Sequence, residues 1–205
     1  MTTISIKRDI YKTFGKRLFD ISLSSVGLVA LAILVLIISL IILVTSGSPI
    51  FFTQDRVGQD GKIFSLIKFR TMTVLQTNPS TVTVAGDRRI TPIGRYLRRW
   101  KLDELPQLWN VLIGEMSFVG PRPDVPGYAD RLQGDDRRIL SLRPGITGPA
   151  TLAYRNEEEI LAQVDDPIRY NKEVIYPDKV RINLEYLEYC SFSKDLYYIW
   201  KTISS

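Results

Sequence analysis

Residues 21–44 read ISLSSVGLVALAILVLIISLIILV, 24 positions without a charge; the flanking charges are Asp20 and Asp55. At about 1.5 Å per helical residue this run reaches roughly 36 Å, more than the ~30 Å hydrocarbon core of a bilayer. It is too long for the apolar core of a signal peptide, and the TSGSP that follows is a poor cleavage site. It is apolar all round, unlike the one-sided helix of a soluble core. The chain must therefore fold with part of itself in lipid.

The flanks bear on topology. Lys7, Arg8, Lys12, Lys16 and Arg17 precede the run, with Asp9 the only acid before Asp20. That bias places the N-terminus in the cytoplasm. Arg56, Lys62, Lys68 and Arg70 follow soon after, so positive charge on both sides selects no single orientation. A spanning helix and a re-entrant helix that returns to the same face both fit. A re-entrant path needs a bend, and the usual cause, a mid-helix proline, is absent; Ser22, Ser24, Ser25, Gly27 and Ser39 are the softening residues. The expected division is a membrane-embedded part over residues 1–48 and a soluble part over residues 49–205.

The rest of the chemistry is bounded by what is missing. The 205 residues include no histidine. Ser-His-Asp and Cys-His catalysis are excluded as usually built, as is His-ligated zinc. Acid–base or nucleophilic work falls to Asp, Glu, Lys, Tyr, Ser or the single Cys190, and a metal would be hard and oxygen-bound, which points to Mg²⁺. One cysteine allows no intrachain disulfide and suits a cytoplasmic soluble part. Cys190, in EYCSF, has no activating neighbour and reads as structural. Lys+Arg total 27 against Asp+Glu 22, a net charge of +5, which favours phosphorylated ligands, anionic lipid or nucleic acid. There is no Walker loop, G-x-G-x-x-G, internal repeat or nucleic-acid motif, so nucleic acid is not expected as a partner.

Beyond TSGSP, alternation around a QDG turn in IFFTQDRVGQDGKIFSLIKFRTM predicts a β-hairpin. TVLQTNPSTVTVAGD is polar and unpatterned, a loop. TPIGRYLRRW predicts a short helix started by Thr91-Pro92; its Arg95, Arg98 and Arg99, with Lys101, form a basic face for solvent, lipid headgroups or a ligand. In KLDELPQLWNVL, Leu105, Leu108, Trp109 and Leu112 fall at helical spacing, ending near Gly114. Pro106 is tolerated only in a first turn. Asp103 is thus expected at or near the N-cap and Glu104 in the first turn. Capping alone would explain that aspartate. The carboxylates are neighbours, pointing about 100° apart on a helix, so they cannot share a proton and would do different jobs. GPRPDVPGY and RPGITGPA read as rigid loops holding Arg122 and Arg143, which suits a fixed anion site. Residues 157–177 read as partly helical. The C-terminus predicts a helix capped by Ser193, with Leu196, Ile199, Trp200 and Ile203 along one face, either packed on the core or lying at a membrane surface.

KRLFDISLSS, FTQDRVGQDGKIFSLIKFRTM, DRRITPIGRYLRRWKLDELPQLWNVLIGEMSFVGPRP and RPGITG together resemble the bacterial sugar transferases, the monotopic phosphoglycosyl transferases. The resemblance runs over residues 16–202, and LDELPQLWNVLIGEMSFVGPRP is its most specific part. The short N-terminus is similar to that of the minimal, catalytic-core members. The resemblance implies an α+β protein: an N-terminal re-entrant membrane helix, then a small, mostly helical cytoplasmic domain with a short β-hairpin. The family's Ser-Pro bend has no counterpart here; the matching region reads LVALAILV.

The implied activity moves a phosphosugar from a UDP-sugar to polyprenyl phosphate and releases UMP, on the cytoplasmic face of the bacterial inner membrane. This would begin surface-glycan assembly. The family's Asp-Glu dyad falls on Asp103 and Glu104. By that resemblance Asp103 is the nucleophile of a covalent aspartyl-phosphosugar intermediate and Glu104 holds Mg²⁺. A helix N-terminus would keep Asp103 ionised and welcome a phosphate. Arg98, Arg122, Arg143, Arg155 and Lys68 are the expected phosphate-binding residues. Residues 78–86 and 154–176 are expected to shape the sugar and base pocket. The lipid bilayer is an implied partner, and a homodimer is left open. The competing readings are direct transfer without a protein intermediate and a catalytically silent membrane scaffold.

Overall fold

The computed structural model describes residues 11–73 and 89–204. The expectations for Lys7, Arg8 and Asp9, and for the 78–86 part of the pocket, lie outside those residues. The apolar run lies in one uninterrupted helix, α1 (Lys16–Ser46), roughly 46 Å long. Then come β1 (Phe51–Val57) and β2 (Ile63–Phe69). Two short helices follow, α2 (Pro92–Arg99) and α3 (Gln107–Ile113), and then the strand β3 (Ser117–Val119). The chain continues through β4 (Gly145–Thr147), α4 (Pro149–Ala153), α5 (Glu157–Leu161) and α6 (Pro167–Tyr170). It ends in α7 (Tyr176–Tyr189) and α8 (Phe192–Ser204). The mostly helical α+β class is as expected.

α1 is the one helix among the described residues long and apolar enough to cross a membrane. It is two-faced in a way its composition hides. Lys16, Asp20, Ser24, Ile38 and Ile42 are buried, and they fall on one stripe at helical spacing. The other side exposes Leu18, Val26, Val29, Ile33, Leu36, Leu40 and Val44. At its start, Lys16 pairs with Asp195 of α8. Asp20 accepts hydrogen bonds from Ser117 Oγ and Phe118 N, both at 3.1 Å. Near its end, Ile38 and Ile42 pack with Phe69 of β2 and Leu97 of α2. Both ends thus rest on the same globular body. Arg70 finishes the helix: its guanidinium donates to the carbonyls of Ser46, Gly47 and Ser48, which supplies donors to acceptors that a helix end leaves open. The helix serines Ser24 and Ser39 bond back to the carbonyls of Asp20 and Val35, a pattern that bends helices without proline.

The expected hairpin forms, with β1 and β2 antiparallel from Phe51 opposite Phe69 to Val57 opposite Ile63. α2 begins as predicted: Thr91 is the N-cap, its side chain accepting from Gly94 N, and Pro92 occupies the first turn. Asn110 of α3 stitches that helix to β2, accepting from Ile67 N and donating to Ser65 O. Beneath it Phe64, Leu66, Val111 and Met116 form a buried cluster.

GPRP is the loop expected, following β3, whereas RPGITG, read as a loop, contains the strand β4. β3 and β4 pair in parallel, Ser117 with Gly145 and Val119 with Thr147. Three-residue strands carry too little alternation to be seen in sequence. Gly145 is required there, since a Cβ on it would lie 2.1 Å from Gly120 N. The cap of α8 is also corrected. The helix starts at Phe192, and Ser191 Oγ, not Ser193, accepts from a first-turn amide, that of Lys194. Cys190 is fully buried beside Tyr186, consistent with its structural reading.

Candidate active site

Asp103 is not a helix cap. Lys101 adopts a left-handed backbone (φ 53°), Leu102–Glu104 form a 3₁₀ turn, and α3 starts only at Gln107 after Pro106. The proline, expected inside the first turn, precedes it, and the tighter turn takes up the carboxylates. α3 has seven residues, too short for the helix-end stabilisation expected for Asp103 or for a phosphate.

What the turn does is separate the two carboxylates. Asp103 is 8 % exposed. Burial pushes its pKa above the ordinary range, and neighbouring Glu104 adds to the rise, against the pull of Lys68 and Arg98. Glu104 is half-buried, and Lys68 and Arg122 outweigh its desolvation and hold its pKa below the usual carboxylate value. Lys68 Nζ donates to Glu104 Oε1 at 2.7 Å, and an Arg122 nitrogen stands 3.8 Å from the same oxygen. Adjacent carboxylates with pKa values driven apart are a pattern for divided roles.

Of the expected phosphate ligands, Lys68, Arg98 and Arg122 gather around this pair. Arg98 is fixed by its Nε donating to Thr71 Oγ1 at 2.8 Å, and its charge acts on Asp103. Glu104 and Arg122 line a cleft of about 370 Å³, with Arg155 further along its wall. Asp103 lies outside the lining residues of that cleft. Arg143 is elsewhere: its Nε donates to Gly114 O at the C-terminal end of α3. Arg17 grips the same end through Val111 O and Leu112 O, each at 2.6 Å. Two arginines thus stabilise the left-handed Gly114 terminus (φ 95°).

Asp124 was missed in the sequence, although it stands in the quoted GPRPD. It lines the cleft and accepts from Tyr176 OH at 3.2 Å. Burial pushes its pKa up to about 6, against Tyr176, Lys179, Arg56 and Arg122. A carboxylate two residues beyond Arg122 was the available signal.

A magnesium site is compatible with these donors. Among the described residues no three Asp, Glu or Cys side chains cluster as a metal cage. Mg²⁺ needs only one or two carboxylates when substrate phosphates complete its shell. Lys68 and Arg122 both approach Oε1 of Glu104.

The family model described as bacterial sugar transferase matches residues 11–205. A UDP-glucose:undecaprenyl-phosphate glucose-1-phosphate transferase of Klebsiella pneumoniae is 40% identical over 162 residues, covering 76% of this chain and 35% of its own length. A UDP-galactose-lipid carrier transferase of Erwinia amylovora is 32% identical over 206 residues, covering 93% of this chain and 40% of its own. The exopolysaccharide production protein ExoY of Sinorhizobium fredii is 34% identical over 205 residues, covering 92% of this chain and 84% of its own. The chain thus spans little more than a third of the first two relatives and most of the third.

Proposed function

The chain belongs to the bacterial sugar transferase family, and on that premise we propose that it transfers a phosphosugar from a UDP-sugar to polyprenyl phosphate, releasing UMP. The relatives' names supply the substrate class. The observation that carries the mechanism is the opposed environment of two neighbouring carboxylates. Asp103, desolvated and beside Lys68 and Arg98, suits a nucleophile: burial strips water from it, and the cations keep a population ionised. An Asp103 oxygen forms a bond to the β-phosphorus. The bond from that phosphorus to the bridging oxygen breaks, and UMP leaves with the electron pair. A polyprenyl phosphate oxygen then attacks the same phosphorus and returns Asp103 as carboxylate.

Glu104, held ionised by Lys68 and Arg122, orients the diphosphate-binding cations and would hold Mg²⁺. The metal, when bound, screens the diphosphate charge. Lys68 and Arg122 offer fixed positive charge where charge develops.

The membrane arrangement belongs to the same reading. Both ends of α1 rest on one globular body, which favours both ends on one side of the bilayer, a re-entrant or monotopic placement. UDP-sugars are cytosolic, so that side is the cytoplasmic face of the inner membrane.

The test is labelling with a UDP-sugar radiolabelled in the sugar, with lipid acceptor omitted. Wild type should retain label covalently and release UMP, and Asp103→Asn should do neither. Full turnover by Asp103→Asn would show direct transfer between substrates. An inert wild type across UDP-sugars would leave the scaffold reading.

A further inference from the structure

The cleft extends well past the dyad. Its phosphate end holds Lys101, Glu104 and Arg122. Beyond Asp124, one face of α7 forms the wall: Tyr176, Lys179 and Asn183 all line the cleft and recur at three- and four-residue steps. Tyr176 to Asn183 spans about 10 Å of helix axis, so the wall carries on for a sugar's length beyond the tyrosine that touches Asp124. Thr151 of α4 lines the same cleft.

Two of these groups are built for a partner that the fold does not supply. Asn183 is 5 % exposed, yet its Oδ1 has no hydrogen-bond partner. Thr151 Oγ1 is likewise buried and unpartnered. Buried polar atoms are nearly always satisfied, and an orphan in a cleft wall marks where a ligand or fixed water completes the bond. Asp124 adds carboxylate oxygens, and Tyr154 and Tyr176 line the same cleft.

We propose that Asn183, Thr151 and Asp124 form the subsite that recognises the hexose of the sugar nucleotide, and so set which sugar is transferred. The inference rests on the transferase reading above. A hexose presents several hydroxyl donors around an apolar ring face, which matches three acceptors set among tyrosine rings. Uracil brings a single N–H donor, and ribose two hydroxyls. Recognition by buried acceptors is strongly selective, since a sugar lacking the matching hydroxyl leaves them unsatisfied. Glu104 and Arg122 line the same cleft as these three residues, so hexose and phosphate are held by different residues of one cleft.

The experiment is binding calorimetry of the purified full chain in detergent. UDP-glucose, UDP-galactose, UDP-N-acetylglucosamine and UMP are the ligands. Wild type should bind one UDP-hexose more tightly than UMP. Asn183→Leu should weaken that hexose nucleotide by about tenfold, the size of one lost hydrogen bond, and leave UMP unchanged. Asn183→Asp, which keeps an acceptor oxygen, should stay within about threefold of wild type. Thr151→Val provides the same test at the second unpartnered group should Asn183→Leu fail to fold. Parallel weakening of UMP would assign the subsite to the nucleoside and overturn the proposal. So would unchanged affinities, or a wild type with no preference for any UDP-hexose over UMP. Hexose-selective binding without UMP release would instead overturn the transferase reading and leave the subsite standing.

Discussion

Lys68 Nζ lies 2.7 Å from Glu104 Oε1, and the same lysine is the strongest charge lowering the pKa of Asp103. One cation from a β-strand therefore pulls down the pKa of both dyad members. Lys68→Met should push both carboxyls upward and cut UMP release by about 30- to 100-fold at pH 7, the scale of a hydrogen bond to a charged group. The acid limb of the rate profile should move to higher pH in the same variant. A rate loss with no movement of that limb would make Lys68 a substrate ligand only.

Asp103 must be ionised to attack, and burial raises its pKa. The sign follows: activity rises with pH as Asp103 loses its proton, and the acid limb of kcat/KM lies above the ordinary aspartate value of about 3.9. Asp124, at about 6, could produce such a limb as well. Asp124→Asn separates them, since a limb set by Asp103 persists in that variant and one set by Asp124 vanishes.

Asp124 also predicts a stability effect. Its folded-state pKa is raised to about 6, above the unfolded value of about 3.9. The folded protein binds that proton more tightly, so the stabilisation is complete below pH 4 and is lost as pH rises through 6. At pH 7.5 the ionised group is a net cost, on the order of 1–2 kcal/mol after solvent screening in an open cleft. Asp124→Asn should therefore raise the apparent melting midpoint by about 2–5 °C at pH 7.5 and give no gain at pH 4. A site kept charged at the expense of stability is common where a ligand needs the charge.

These residues also show what the sequence could reveal. The hairpin around QDG, the Thr91-Pro92 helix start and the apolar length of α1 are local signals, each fixed by residues within a few positions of one another. The grouping of Lys68, Arg98 and Arg122 around the dyad joins segments up to 54 positions apart, and only the family-like motif brought them into one list. Composition could not show that α1 has a polar stripe, because Lys16 and Asp20 sit at its start and their partners Asp195 and Ser117 lie far along the chain. The expected cap at Asp103 failed because Pro106 pushed the helix start forward, and a left-handed Lys101 then allowed a 3₁₀ turn. Asn183 carried no signal at all, since an orphaned oxygen is a property of packing.

The last prediction separates arginines that look alike in sequence. Arg122 stands in the cleft beside Glu104; Arg143 donates to Gly114 O at the end of α3. Arg122→Met should raise KM for the UDP-sugar by about tenfold or more, through the loss of a charge-assisted contact, and leave the melting midpoint nearly unchanged. Arg143→Met should do the reverse. It removes a donor from a helix terminus that Arg17 alone would then serve, costing about 1–2 kcal/mol of stability, while KM stays within about threefold. Parallel KM effects in both variants would return Arg143 to the phosphate site. Melting curves and UMP-release kinetics on the same two preparations decide between these outcomes.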